Sequence, residues 1–188
     1  LHPTSYTLHP TNYKQNSEVN KLNFYNTNEE FFLSNDLYEI FKIAFDVSDK
    51  TGGIYDVTVG SVVNNLGFGP DLFLENKYVF EPYAKKFSFN DNNKSITKFK
   101  DIVFDLSSVA KGYAVDAISD YLLANNFNNY LIDIGGEIAA NGFSKSGFWT
   151  IGIQDPQSFQ QNVSFTVPTT NKFIGVATSG DYLNFKYI

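Results

Sequence analysis

The sequence predicts an α+β fold, and three observations carry that reading. Two stretches place apolar residues at the three-four spacing of an amphipathic helix. Several short runs rich in Val, Ile, Phe and Tyr read as strands. Polar or glycine-rich clusters separate them. The helices sit among the strands without alternating regularly with them, which argues against a βαβ array. The chain has 188 residues, 43% hydrophobic and 17% aromatic, which is enough to bury a real core and excludes disorder throughout.

Taken in order, the chain opens on a short duplication, Leu1-His2-Pro3-Thr4-Ser5-Tyr6 and Leu8-His9-Pro10-Thr11-Asn12-Tyr13. Its X-Pro pairs favour extended backbone, so residues 1–12 read as a disordered or tag-like lead-in. A metal-ligating pair of His2 and His9 is the alternative. Residues 13–188 read as a single domain. Lys14 to Asn23 is expected to form a short helix or turn, with Ser17 as its N-cap. From Asn35 to Asp49 a helix is expected, with Leu37, Ile40, Phe41, Ala44 and Phe45 on one face and Gly52-Gly53 ending it. Ile54 to Val59 reads as a strand or extended loop, and strands flank a polar turn at Asn90 to Asn93. A second helix is expected to run to about Ala124, its face formed by Tyr113, Ala117, Ile118, Tyr121 and Leu122. Tyr130 to Ile134, Trp149 to Ile153, Val163 to Val167 and Phe173 to Thr178 read as further strands.

Composition narrows the chemistry. Charged residues make up 18%, the net charge is −6, and all 14 basic residues are lysine. An acidic chain without clustered cations is a poor partner for nucleic acid. With no arginine, any bound phosphate must be met by lysine, backbone N–H groups, hydroxyls or a metal. Cysteine is absent, which excludes disulfides, zinc thiolates and cysteine nucleophiles. The lack of Met is expected of a processed or partial chain. No apolar run reaches the roughly 18–20 residues that span a bilayer, and no secretory signal pattern is visible in these residues.

Four segments stand out. Thr51-Gly52-Gly53-Ile54-Tyr55-Asp56-Val57-Thr58-Val59-Gly60 reads, alone, as a helix stop followed by a strand. Asp105-Leu106-Ser107-Ser108-Val109-Ala110-Lys111-Gly112-Tyr113 is either a serine-capped helix start or a phosphate seat at a helix N-terminus. Asp133-Ile134-Gly135-Gly136-Glu137 is a bulge or a close approach of backbone to ligand. Ala177-Thr178-Ser179-Gly180-Asp181-Tyr182 reads as a polar turn.

Together, and in this order, these segments resemble the ApbE family, the FAD:protein FMN transferases. The resemblance also takes in Tyr13-Lys14-Gln15-Asn16-Ser17-Glu18, the Asn20 to Asn23 run and Gly67-Phe68-Gly69. It implies an ApbE-like, T-fold-related mixed sheet with packed helices. It further implies that the chain lacks the family's early strand and helix, and its later His-x-Ile-Asp-Pro and metal-binding stretches.

The resemblance implies a flavin site at Tyr13, Asp56, Val57, Thr58, Ser107 and Tyr113. It also implies a Mg²⁺ ligand in the carbonyl of Ala110, and for that reason the helix is expected to start near Lys111 or Gly112. The implied reaction moves FMN from the substrate FAD to a Thr or Ser hydroxyl of a target protein and releases AMP. Asp181 and Glu137 are the candidates for activating that hydroxyl. The alternatives are hydrolysis of FAD to FMN and AMP, or a flavin-binding protein without catalysis. The implied setting is the cell envelope, in the periplasm or on the exported face of the inner membrane, as a lipoprotein and as a monomer or homodimer.

Overall fold

In the computed structural model, residues 16–66, 68, 81–154, 163–168 and 173–179 are described. The lead-in, Tyr13, Gly67, Gly69 and Asp181 lie outside them. The chain divides into two compact units, Leu1–Ala110 and Lys111–Ile188.

In the first unit, helix α1 spans Glu18–Asn23, and Ser17 caps it as its hydroxyl accepts the Asn20 N–H. Helix α2 spans Asn35–Lys50 and buries Leu37, Ile40, Phe41 and Ala44, as their spacing predicts. Ser34 caps α2 by accepting the Leu37 N–H at 3.2 Å, and its own hydroxyl and amide donate to Glu18. The amides of Gly52 and Gly53 then bond back to Asp49 and Ser48, ending the helix.

Strands β1 (Glu30–Phe32), β2 (Phe87–Asn90) and β3 (Ser95–Lys98) form an antiparallel sheet in the order β1-β3-β2, with the expected polar turn joining β2 and β3. An aromatic cluster welds α2 to this sheet. Phe41 meets Phe104 edge-on at 5.1 Å, Phe45 stacks on Phe87 at 5.3 Å, and Phe87 meets Phe104 at 5.3 Å. Such contacts add to the burial of large apolar area.

Residues 54–59 form a loop, not a strand. Their single ladder contact is an isolated parallel bridge from Val59 to Val103. At Gly60, where the short helix α3 (Gly60–Asn65) begins, a Cβ would stand 2.7 Å from the Val103 carbonyl oxygen. Only glycine fits so close a backbone approach.

Helix α4 runs Ser107–Ala124 and corrects two expectations. It starts at Ser107, ahead of Lys111, because Leu106 already accepts the amides of Val109 and Ala110. Its buried positions include Val115 and Ser119, whereas Tyr121 is 67% exposed and Ala117 also faces out. The helix is apolar on more than one side, so spacing alone does not select the buried one. Ser119 is buried because its hydroxyl bonds the Tyr130 hydroxyl at 2.5 Å.

The second unit carries β4 (Tyr130–Ile134), β5 (Glu137–Asn141), β6 (Phe143–Ser144), β7 (Gly147–Phe148), β8 (Thr150–Gln154), β9 (Val163–Pro168) and β10 (Ile174–Val176). They pair antiparallel as β10-β5-β4, β6-β7 and β8-β9. Among the described residues, no helix is long and apolar enough to cross a membrane.

Candidate functional site

The segment Tyr55 to Thr58 is held from two sides. On one side, the 3-10 turn Tyr83–Lys85 and the following Lys86 grip it. The Tyr83 hydroxyl donates to the Tyr55 carbonyl at 2.9 Å and accepts the Val57 amide at 3.1 Å. Lys86 donates from Nζ to Asp56 Oδ2 and to Thr58 Oγ1, each at 2.9 Å. Thr58 in turn donates its hydroxyl and its amide to Asp56 Oδ1, at 2.7 and 2.8 Å. The side chains of Lys86 and Asp56 are only 2% and 8% exposed, so this is a buried ion pair closed by a threonine.

On the other side, the Asp105 amide donates to the Val57 carbonyl at 2.8 Å. Asp105 Oδ1 accepts the Ser107 amide at 2.8 Å and so covers the first open donor of α4. The hydroxyls of Tyr55 and Ser108 bond at 2.8 Å. Residues nearly fifty positions apart in sequence therefore form one frame. Phe104, which leads into Asp105, is fixed as well. Asn23 clamps its backbone with Nδ2 on the carbonyl at 3.0 Å and Oδ1 on the amide at 2.8 Å. That clamp accounts for the asparagine at the end of the Asn20 to Asn23 run.

The electrostatics follow the contacts. Burial alone would raise the Asp56 carboxyl, but hydrogen bonds from Lys86 and Thr58 outweigh it and hold the group below its ordinary value. Burial pushes the Tyr83 phenol up to about 12, so it stays a neutral donor to the Tyr55 carbonyl. Thr58 is 3% exposed and its hydroxyl is committed to Asp56 and Lys86. The side chain of Ser107, by contrast, has no hydrogen-bond partner among the described residues, and the residue is partly exposed. It is the first residue of α4 and not its cap, a role that Asp105 fills.

The second unit holds Glu137 and Lys111. Glu137 Oε2 lies 2.5 Å from Lys111 Nζ, which also donates to the Gly135 carbonyl at 3.2 Å. Gly135 and Gly136 form the two-residue turn between β4 and β5, with Ile134 opposite Glu137 and φ of +59° and +93°. Two positive φ values in a two-residue hairpin mark a type I′ turn, the glycine-favouring kind. The paired glycines therefore make a tight hairpin and not a bulge. Thr178 Oγ1 donates to the Gly136 carbonyl at 3.1 Å.

The frame thus joins Asp56, Val57, Thr58 and Ser107 within the first unit. Glu137 falls in the second, Tyr113 lies partly buried in α4, and Tyr13 and Asp181 are outside the described residues. Among the described residues, no group of three or more His, Cys, Asp or Glu could hold a metal. The Ala110 carbonyl sits in the first turn of α4, where it faces the helical ladder. Asp105 and Asn23 lie in segments the sequence singled out, though without these roles, whereas Lys86 and Tyr83 are site-shaping residues that sequence reasoning missed. The only local hint was a lysine pair, Lys85-Lys86, inside an otherwise apolar and aromatic stretch.

The mixed α+β fold is shared with flavin transferase structures. The "Flavin Transferase ApbE from Vibrio cholerae" superposes with a TM-score of 0.71 at 30% identity, covering 95% of this chain and 60% of that one. The ApbE protein of Thermotoga maritima gives 0.74 at 26% identity, with the same coverage. The ApbE family model matches residues 6–187, and the chain belongs to that family. Relatives named FAD:protein FMN transferase include those of Vibrio cholerae (32% identical, covering 92% of this chain and 54% of that protein) and Haemophilus influenzae (35%, 90% and 53%). The chain spans about half the length of these curated relatives.

Proposed function

We propose that this chain takes part in transferring FMN from FAD to a Thr or Ser hydroxyl of a target protein. The observation behind the reading is the joining of the family's flavin segments, 56–58 and 105–108, by the Asp105 to Val57 hydrogen bond at 2.8 Å. In the reaction, the hydroxyl oxygen bonds to the FMN-side phosphorus as the phosphoanhydride bond breaks. AMP leaves with the electron pair, and the hydroxyl proton passes to a base. Little covalent chemistry is asked of the protein beyond placement and charge compensation.

The N-terminus of α4 supports the placement role, since its dipole and the unbonded Ser107 hydroxyl suit a phosphate oxygen. Glu137 and Asp181 remain the candidate bases, with Glu137 held by Lys111. We extend the proposal to a need for Mg²⁺, because no arginine is available to meet the pyrophosphate charge. When bound, the ion would neutralise that charge. Work in the cell envelope, as a lipoprotein and as a monomer or homodimer, completes the proposal on the family resemblance.

Calorimetry with FAD and with FMN tests the binding half, followed by AMP release in Mg²⁺ and in EDTA. Tighter binding of FAD, and AMP release only with Mg²⁺, are expected. Equal affinities or no binding would overturn the dinucleotide reading, and full turnover in EDTA would overturn the metal requirement. AMP release into water without an acceptor would identify a hydrolase, and FAD binding without AMP release a binding protein.

A further inference from the structure

We infer that Lys86 is a positioning residue for the flavin-facing segment 56–58, an inference that rests on the flavin reading above. Neighbouring lysines diverge here: Lys85 is exposed, whereas Lys86 runs inward to a side chain 2% exposed. Burying an ammonium and a carboxylate together gains little stability over apolar residues of the same volume. What the arrangement does supply is direction. One ammonium holds Asp56 Oδ2 and Thr58 Oγ1 at the same 2.9 Å, and Asp56 Oδ1 draws in both the amide and the hydroxyl of Thr58.

The loop between Tyr55 and Val59 belongs to no strand, and its ladder contact is the isolated bridge from Val59 to Val103. Its shape comes from these side-chain bonds, from Tyr83 and from Asp105. Because Asp56 and Thr58 direct their polar atoms inward to Lys86, while Tyr83 and Asp105 take the Val57 amide and carbonyl, the main chain of the segment is fixed by these bonds. Lys86 sets where that main chain lies.

The test uses Lys86→Met, which keeps the stem and removes the ammonium, and Asp56→Asn/Lys86→Met, which also removes the charge of the carboxylate that faced it. The double variant keeps the measurement possible if the single one fails to fold. Two readouts are taken on folded protein: the FAD dissociation constant, and amide hydrogen exchange at Val57 and Thr58. A loss of about 10- to 100-fold in FAD affinity, the order of one charge-assisted hydrogen bond, is expected, with faster exchange at both amides. A structural role alone would lower the melting temperature and leave the affinity of the folded fraction unchanged. If the wild type binds FAD and the double variant binds it equally well, this inference fails and the flavin reading stands. If the wild type does not bind FAD, both fail.

Discussion

Replacing Asn23 by alanine removes both ends of a buried clamp. Its side chain donates to the Phe104 carbonyl at 3.0 Å and accepts from the Phe104 amide at 2.8 Å, and Phe104 is wholly buried. Water cannot replace either bond without opening the aromatic cluster around Phe41 and Phe87. Leaving a buried donor or acceptor unmatched costs about 1–3 kcal/mol per group. Two groups give about 2–6 kcal/mol, centred near 4, a large share of the roughly 5–15 kcal/mol that holds a domain folded. For a chain of this size each kcal/mol moves the melting temperature by about 2–4 °C, so the central expectation is a drop of about 8–16 °C. Thermal unfolding followed by near-ultraviolet circular dichroism reads this directly. The control is Asn26→Ala, which deletes an exposed asparagine bonded to Glu29 and should stay within about 0.5 kcal/mol of the wild type. Equal, small effects at the two positions would show that Phe104 finds other partners, and the account of the clamp would be wrong.

Three more outcomes are expected. Gly136→Ala should destabilise more than Gly135→Ala in urea unfolding, because both have positive φ but only the Gly136 Cβ would meet Thr178 Oγ1, at 2.5 Å, while the Gly135 Cβ meets nothing closer than 3.9 Å. Equal losses would mean that Thr178 moves freely aside. Tyr83 should titrate at about 12, and a difference spectrum between wild type and Tyr83→Phe should contain that component. Since its folded value lies above the ordinary 10, its contribution is intact below about pH 10 and is lost as pH rises toward 12; a Tyr83 component that titrates near 10 instead would refute the burial argument. Ser107→Ala should leave the melting temperature almost unchanged, because Asp105 and not Ser107 caps α4, and should weaken FAD binding by about 10- to 150-fold if the hydroxyl meets a phosphate. A stability loss near 1 kcal/mol with unchanged affinity would restore Ser107 to a capping role.

The sequence by itself determined what depends on neighbours along the chain. Helix α2 was legible because Leu37, Ile40, Phe41 and Ala44 repeat at helical spacing, and α1 because Ser17 can cap it. The β2–β3 turn was legible from its run of asparagines, and β4 from its apolar residues ahead of two glycines. These signals are local, since a backbone period or a cap is complete within a few residues. The family segments were likewise readable in their order. Tertiary structure alone decided which polar side chains brace the fold and which do not. Thr58 and Ser107 both carry hydroxyls in motif segments, yet one is enclosed by Lys86 and Asp56 while the other has no partner among the described residues. It also decided the start of α4 and its buried side, through Leu106 and the Ser119–Tyr130 bond. The reason is physical. Burying a charge or a hydroxyl requires a partner, and here Lys86, Tyr83, Asp105 and Asn23 reach across 26 to 81 positions of chain, a distance over which no local pattern extends.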